Sequence, residues 1–111
     1  MDPRVVAVIK MMHHSLAGGL SIPSLSRAVN LSPSRLRHIF KKETGCSPIE
    51  YLKNLRMEHA EQLLRSTFLS IKEIASLSGG KDVSYFVREF KKRYGQTPTD
   101  FRTRFQSPLK G

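Results

Sequence analysis

The sequence has few of the residues from which small proteins build cross-links and metal sites. Its 111 residues include one cysteine, Cys46, and no tryptophan. A single cysteine excludes an internal disulfide and any zinc site made of several cysteines. The histidines, the cysteine and the carboxylates also lack the spacing that a catalytic or metal-binding cluster requires, so we expect no enzyme activity, no metal site and no cofactor.

Long apolar runs and negative charge are also scarce. The run from Val5 to Ile9 ends at Lys10, is too short to span a bilayer, and precedes no cleavage pattern. We therefore expect a soluble, cytoplasmic protein without a membrane partner. Lys and Arg number 19 against nine Asp and Glu, which gives a formal charge of +10. Such a charge on one small chain is typical of a module that binds polyanions.

A repeat with an offset of 50 residues organises the chain. Residues 40–51 (FKKETGCSPIEY) align with residues 90–101 (FKKRYGQTPTDF), and the Phe, Lys, Lys, Gly and Pro positions are identical. Further upstream, Leu36 aligns with Phe86. We therefore predict two copies of one supersecondary unit.

In the first copy, the pattern predicts a short helix, a tight turn and a second helix, which together form a helix-turn-helix. Ser21 can cap the short helix, and Ser32 followed by Pro33 begins the second helix, which ends at Gly45. The spacing of apolar residues gives the second helix a buried stripe that consists of Leu36, Ile39 and Phe40.

The second copy repeats this pattern with different residues. Ser70 opens a short helix with a capping box, the Gly79-Gly80 pair forms the turn, and Asp82 caps the longer helix. The apolar residues expected to face inward are Ile74, Ala75 and Leu77 on the short helix, and Phe86 and Phe90 on the longer one.

Three further helices complete the predicted fold, which is all-α with about seven helices. Residues 1–19 hold an N-terminal helix that packs on the first helix-turn-helix (residues 20–46). A long linker helix (residues 47–65) follows, with an apolar pattern of Ile49, Leu52, Leu55, Ala60, Leu63 and Leu64. Residues 66–106 form the second helix-turn-helix with a C-terminal helix, and residues 107–111 form a tail.

The chain resembles the DNA-binding domain of AraC/XylS-type bacterial transcription regulators from about residue 20 to residue 104. The segments that carry the resemblance are Leu31-Ser32-Pro33-Ser34, Phe40 to Gly45, Tyr51-Leu52 through Arg56 and Ala60 to Leu63-Leu64, Ile74-Ala75, Ser84-Tyr85-Phe86, and Phe90 to Pro98. The resemblance implies two helix-turn-helix units, each offering its second helix to double-stranded DNA. The family usually has Gly-Phe where this chain has Gly79-Gly80, so an apolar anchor beside the second recognition helix is missing.

The resemblance also implies which side chains contact DNA as the two units read successive major-groove segments. The expected base-reading residues are Ser34, Arg37 and His38 in the first unit, and Val83, Ser84, Val87 and Arg88 in the second. Arginine can bond guanine with two hydrogen bonds, and valine can contact the thymine methyl group. The expected phosphate contacts are Arg35, Lys41, Lys42, Lys91, Lys92 and Arg93.

Several alternatives remain open at this point. A nonspecific basic DNA- or RNA-binding protein would carry the same charge, and Arg37 and Arg88 could instead pair with Glu43 and Glu89. The chain could be a standalone regulator or the C-terminal domain of a longer one. We expect a monomer for this chain, with dimerisation open through a further N-terminal domain, and RNA polymerase is left open as a second partner.

Overall fold

The computed structural model describes residues 1–79 and 82–106, and these form seven α-helices and no strand. The helices are α1 (Pro3–His14), α2 (Ile22–Ala28), α3 (Pro33–Thr44), α4 (Pro48–Ser66), α5 (Ile71–Leu77), α6 (Val83–Tyr94) and α7 (Pro98–Gln106). The all-α prediction is confirmed. The chain divides into two compact units, Met1–Leu55 and Arg56–Gly111, with the boundary inside α4. Gly80 of the predicted turn and the predicted tail at 107–111 lie outside the described residues.

The second helix of each unit begins at the capping residue that the sequence predicts. Ser32 Oγ accepts a hydrogen bond from the backbone N–H of Arg35 at 3.1 Å, at the start of α3. Asp82 Oδ1 accepts one from the backbone N–H of Ser84 at 2.9 Å, at the start of α6. Each bond satisfies an amide that the first helical turn leaves without a partner, so both helix starts are fixed locally.

Both of these helices also end in the same way. Gly45 ends α3 with φ of 88°, and Gly95 ends α6 with φ of 79°. In each case the glycine N–H donates to the carbonyl oxygen four residues earlier, that of Lys41 or of Lys91, at 2.8 Å. Glycine adopts this left-handed conformation without the steric cost that a side chain brings, so the repeat preserves the helix end as well as its start.

The core of the first unit joins α1 to the helix-turn-helix. Its buried side chains are Val5, Val8, Met12, Leu25, Leu36, Phe40 and Leu52. The Phe40 ring meets the Tyr51 ring edge-on, with 5.3 Å between centroids. The N–H of Asp2 also donates to the Glu43 carboxylate, which ties the start of α1 to the end of α3. The N-terminal helix is therefore part of this unit's core.

The core of the second unit is built around aromatic rings. Its buried side chains are Ala60, Leu64, Ile74, Ala75, Phe86, Phe90 and Phe101. Two apolar residues that the sequence pattern places on buried faces are instead exposed: Ile49 in α4 and Leu77 in α5. Those two expectations were wrong because both residues lie in the end turns of their helices, and Ser78, which follows Leu77, is buried instead.

Ser78 provides a test of this packing. Its side chain is 4% exposed, and its Oγ has no hydrogen-bond partner within the described residues. A buried hydroxyl without a partner destabilises the folded state.

We expect Ser78→Ala to raise the free energy of unfolding by about 1 kcal/mol, measured by urea denaturation. Ser76→Ala is the control, because Ser76 is exposed in α5, two residues before Ser78, and the loss of its hydroxyl should change stability by less than about 0.5 kcal/mol. A less stable Ser78→Ala protein would show that the hydroxyl is needed.

Candidate nucleic-acid interface

The α3 helix presents a basic face opposite its buried side. Leu36 and Phe40 are buried in the first core, and Ile39 packs partly against it. The exposed residues among the predicted DNA contacts are Ser34, Arg35, Arg37, His38, Lys41 and Lys42. In the described part of the chain, none of these six side chains makes a hydrogen bond or an ion pair. Arg37 does not pair with Glu43, which accepts the Asp2 N–H instead. The hydrogen-bond donors and positive charges of this face are therefore all available to bind an external anion.

Four of these side chains surround one shallow depression. Arg37, His38, Lys41 and Lys42 line an open concavity of about 410 Å³. Positive charges gathered in a concave surface reinforce one another's potential and attract anions. The structure thus brings together Arg37 and His38, predicted to read bases, with Lys41 and Lys42, predicted to contact phosphates.

The α6 helix presents a face of different composition. Ser84, Arg88, Lys91, Lys92 and Arg93 are exposed, as the sequence predicts for DNA contacts. Val83 and Val87, also predicted to read bases, are only partly exposed and pack against the second core. Their side chains therefore support the position of α6, and only part of each valine's surface is left for a ligand.

Two of the cations at the end of α6 have acidic neighbours. Lys92 Nζ lies 3.9 Å from Glu89 Oε2, and Arg93 Nη2 lies 3.7 Å from Glu58 Oε2. Ion pairs this open to solvent contribute little stability, so a phosphate can compete with these carboxylates. Arg88 does not pair with Glu89 among the described residues, because Glu89 faces Lys92 one turn further along the helix.

Comparison of the two helices at the repeat offset identifies a residue that the sequence analysis did not assign. The positions of α3 that face away from the core pair as Ser34 with Ser84, Arg35 with Tyr85, Arg37 with the partly exposed Val87, and His38 with Arg88. Tyr85 is 44% exposed, and it precedes Arg88 by three residues, so the two side chains share one face of α6. The repeat alignment with exposed Arg35 is the signal that could have found it. The two faces thus differ in chemistry, since α3 is cationic and α6 combines cations with an aromatic ring.

Residues 1–79 and 82–106 contain neither a metal-binding cluster nor a membrane-spanning helix. No group of three or more His, Cys, Asp or Glu side chains there could hold a metal ion. No helix of that part is both long enough and apolar enough to cross a membrane.

Two units with exposed basic second helices define a nucleic-acid-binding domain of the helix-turn-helix class. A protein-family model described as a helix-turn-helix domain matches residues 25–104. The chain belongs to this family, in its AraC-type branch of DNA-binding domains.

Individual relatives agree with this assignment. The chain is 36% identical over 103 residues to the arabinose operon regulatory protein of Escherichia coli (strain K12), covering 92% of this chain and 35% of that protein. It is 35% identical to the C-terminal domain of AraT, a response regulator from Geobacillus stearothermophilus, with a TM-score of 0.86 and coverage of 91% of this chain and 84% of that one.

The fold is also shared with a more distant domain. The DNA-binding domain of the global transcriptional factor AdpA, solved in complex with a target DNA, has a TM-score of 0.89 at 20% identity, covering 97% of this chain and 98% of that one. Among the curated relatives that were compared, the chain spans between 13% and 36% of the relative's length.

Proposed function

We propose that the chain binds double-stranded DNA at specific sequences by placing α3 and α6 in successive segments of the major groove. The observation that carries this proposal is the cationic face of α3, whose side chains are without partners in the described chain. That face lies on the second helix of a helix-turn-helix, the helix that enters the major groove in this class. The AdpA domain, which shares this fold, was solved in complex with a target DNA, which is compatible with DNA as the ligand.

The position of most side chains along their helix supports the role proposed for each. Residues in the first and middle turns of α3 and α6 can reach base edges, and residues in the last turns can reach phosphates. Arg35, in the first turn of α3, is the exception, and we propose that its side chain reaches a phosphate. The base-reading set is Ser34, Arg37 and His38 on α3, and Ser84 and Arg88 on α6, with the exposed parts of Val83 and Val87. The phosphate set is Arg35, Lys41, Lys42, Lys91, Lys92 and Arg93.

The role of the whole protein follows from its relatives. Several of them are operon regulatory proteins, so we infer that this domain directs a bacterial transcription regulator to its promoter in the cytoplasm. The domain contributes binding and no catalysis. It acts as a monomer that contacts two groove segments, and contact with RNA polymerase or dimerisation through another domain remains a prediction.

Selection of binding sites from random duplexes tests the proposal against nonspecific binding. We expect the purified chain to select two sequence blocks about one helical turn apart. The selected duplex should bind at least about 10³-fold more tightly than a scrambled duplex at the same salt concentration. Equal affinity for the selected duplex, the scrambled duplex and a duplex RNA would overturn site-specific recognition and favour a nonspecific basic binder.

The salt dependence of binding tests the phosphate contacts separately. Lys92→Ala should lower the slope of log affinity against log salt by about one unit while leaving sequence preference intact. The reason is that a lysine on a phosphate releases about one counterion without reading a base. Lys10→Ala is the matched control, because Lys10 is exposed on α1, outside both reading helices, and its loss should leave the slope unchanged. An unchanged slope for Lys92→Ala would remove Lys92 from the phosphate set.

A further inference from the structure

Arg102 of α7 binds the backbone of the segment that joins α4 to α5. Its Nη1 donates to the carbonyl oxygen of Leu69 at 2.5 Å, its Nη2 to that of Thr67 at 3.4 Å, and its Nε to that of Leu64 at 3.5 Å. Leu64 lies in the last turn of α4, at the negative end of the helix dipole, where a cation is favourable. One guanidinium group thus holds both the end of α4 and the following segment.

The side chains of this segment attach it unequally. Thr67 Oγ1 donates a hydrogen bond to the carbonyl oxygen of Leu63 at 2.6 Å, and Leu69 packs partly against the second core. Phe68 lies between the two residues, Thr67 and Leu69, whose carbonyl groups Arg102 binds, and its side chain is 92% exposed. An aromatic ring in solvent gives almost no packing energy, so apolar burial at Phe68 does not hold the segment. The three hydrogen bonds from Arg102 reach the backbone on both sides of Phe68, and they add to the contacts of Thr67 and Leu69.

The repeat shows that this arrangement is particular to the second unit. Arg102 occupies the position that Leu52 occupies in the first copy. Leu52 is buried in the first core, whereas Arg102 is partly buried and directed to backbone oxygens. An apolar contact in one unit is therefore replaced by a polar one in the other, and a partly buried charge is stable only while its hydrogen bonds are made.

The segment that Arg102 holds leads directly into the second helix-turn-helix. Ser70 caps α5 immediately after Leu69, and α5 packs against α6. The α6 helix also packs against α7, where Phe90 and Phe101 are in edge-on contact with 5.5 Å between ring centroids. Arg102 therefore links α7 to the segment that precedes α5, and both of these helices pack against α6.

We propose that Arg102 is a positioning residue for the second recognition helix. By fixing the α4–α5 segment to α7, it holds α5 and α6 in the arrangement in which α6 meets DNA. This inference rests on the proposed function, because it assumes that α6 reads a block of the binding site. Arg102 itself is not one of the base-reading residues.

The test compares two arginines of the same helix. Arg104 is exposed, so Arg104→Ala removes the same charge as Arg102→Ala without breaking the three hydrogen bonds. On the selected duplex, Arg102→Ala should lower the preference for an intact over a scrambled second block by about tenfold, the size of one lost base contact. Arg102→Ala should keep its preference for an intact first block. Arg104→Ala should leave the preferences at both blocks unchanged. Arg102→Lys should restore part of the preference at the second block that Arg102→Ala loses.

Amide hydrogen exchange gives a readout that does not depend on DNA. Exchange in the segment 67–73 should be faster in Arg102→Ala than in Arg104→Ala, while the amides of the first core remain protected. Unchanged exchange would overturn the inference, and so would equal loss of preference at both blocks. If Arg102→Ala fails to fold, Arg102→Lys carries the same comparison. If the unmodified chain shows no preference at a second block, the proposal that α6 reads DNA bases is wrong. The exchange data then decide by themselves whether Arg102 holds the segment.

Discussion

Phe90→Ala should lower the free energy of unfolding by about 3–5 kcal/mol, the largest stability effect that we expect from one substitution. Phe90 has no exposed surface and lies at the centre of the second core. Its ring centroid is 4.5 Å from that of Tyr94, 5.5 Å from that of Phe101 and 6.0 Å from that of Phe86. Alanine would leave a cavity among rings that α6 and α7 hold in place. Urea denaturation measures the change.

Phe68→Ala is the matched control for this substitution. The same side chain is removed, but Phe68 is almost wholly exposed, so the change in stability should stay within about 0.5 kcal/mol. Because the two cores are separate clusters, we expect the amides of α5 to α7 to lose most of their protection from exchange in Phe90→Ala. Equal stability changes for the two variants would contradict the assignment of Phe90 to the core.

Arg37→Ala should weaken binding to the selected duplex by about 1–3 kcal/mol and relax the preference at one base position of the first block. Arg37 is exposed near the middle of α3, and it is without an ion-pair partner among the described residues. An arginine at such a position can donate two hydrogen bonds to guanine, through its O6 and N7 atoms. No other base presents this pair of acceptors in the major groove. Affinities for duplexes that differ at single positions of the first block measure the effect.

Lys42→Ala separates loss of charge from loss of base reading. Lys42 lines the same concavity as Arg37 but lies in the last turn of α3, where a phosphate contact is expected. Its removal should weaken binding to all duplexes by a similar factor. The base-reading role of Arg37 is wrong if Arg37→Ala also weakens binding equally on every sequence.

Much of the fold could be predicted because its signals are local. Caps such as Ser32 and Asp82, and the left-handed Gly45 and Gly95, act within a few residues of the helix ends that they define. The repeat then allowed each unit to support the interpretation of the other. Exposure at helix ends was not predictable from local signals, as Leu77 shows. It depends on whether neighbouring helices extend far enough to cover the last turn.

The site was predictable only in part, since a helical pattern indicates which side chains leave the core but not how far. Arg37 and Lys41 are exposed as expected, whereas Val87 is only partly exposed and packs against the second core. Tyr85 was not assigned, because an aromatic residue beside buried phenylalanines resembles a core residue, and only its alignment with Arg35 of the first copy marks it as exposed. The hydrogen bonds of Arg102 join residues more than 30 positions apart, and no local pattern predicts such contacts.

The central claim is that each unit reads its own block of one DNA site. The most direct test measures the affinity of the unmodified chain, Arg37→Ala and Arg88→Ala for the selected duplex and for duplexes with either block scrambled. This is a double-mutant cycle between protein and DNA. We predict that scrambling the first block costs less affinity in Arg37→Ala than in the unmodified chain, and that scrambling the second block costs less in Arg88→Ala. The claim is contradicted if both variants lose their response to the same block, or if neither variant changes its response to any block.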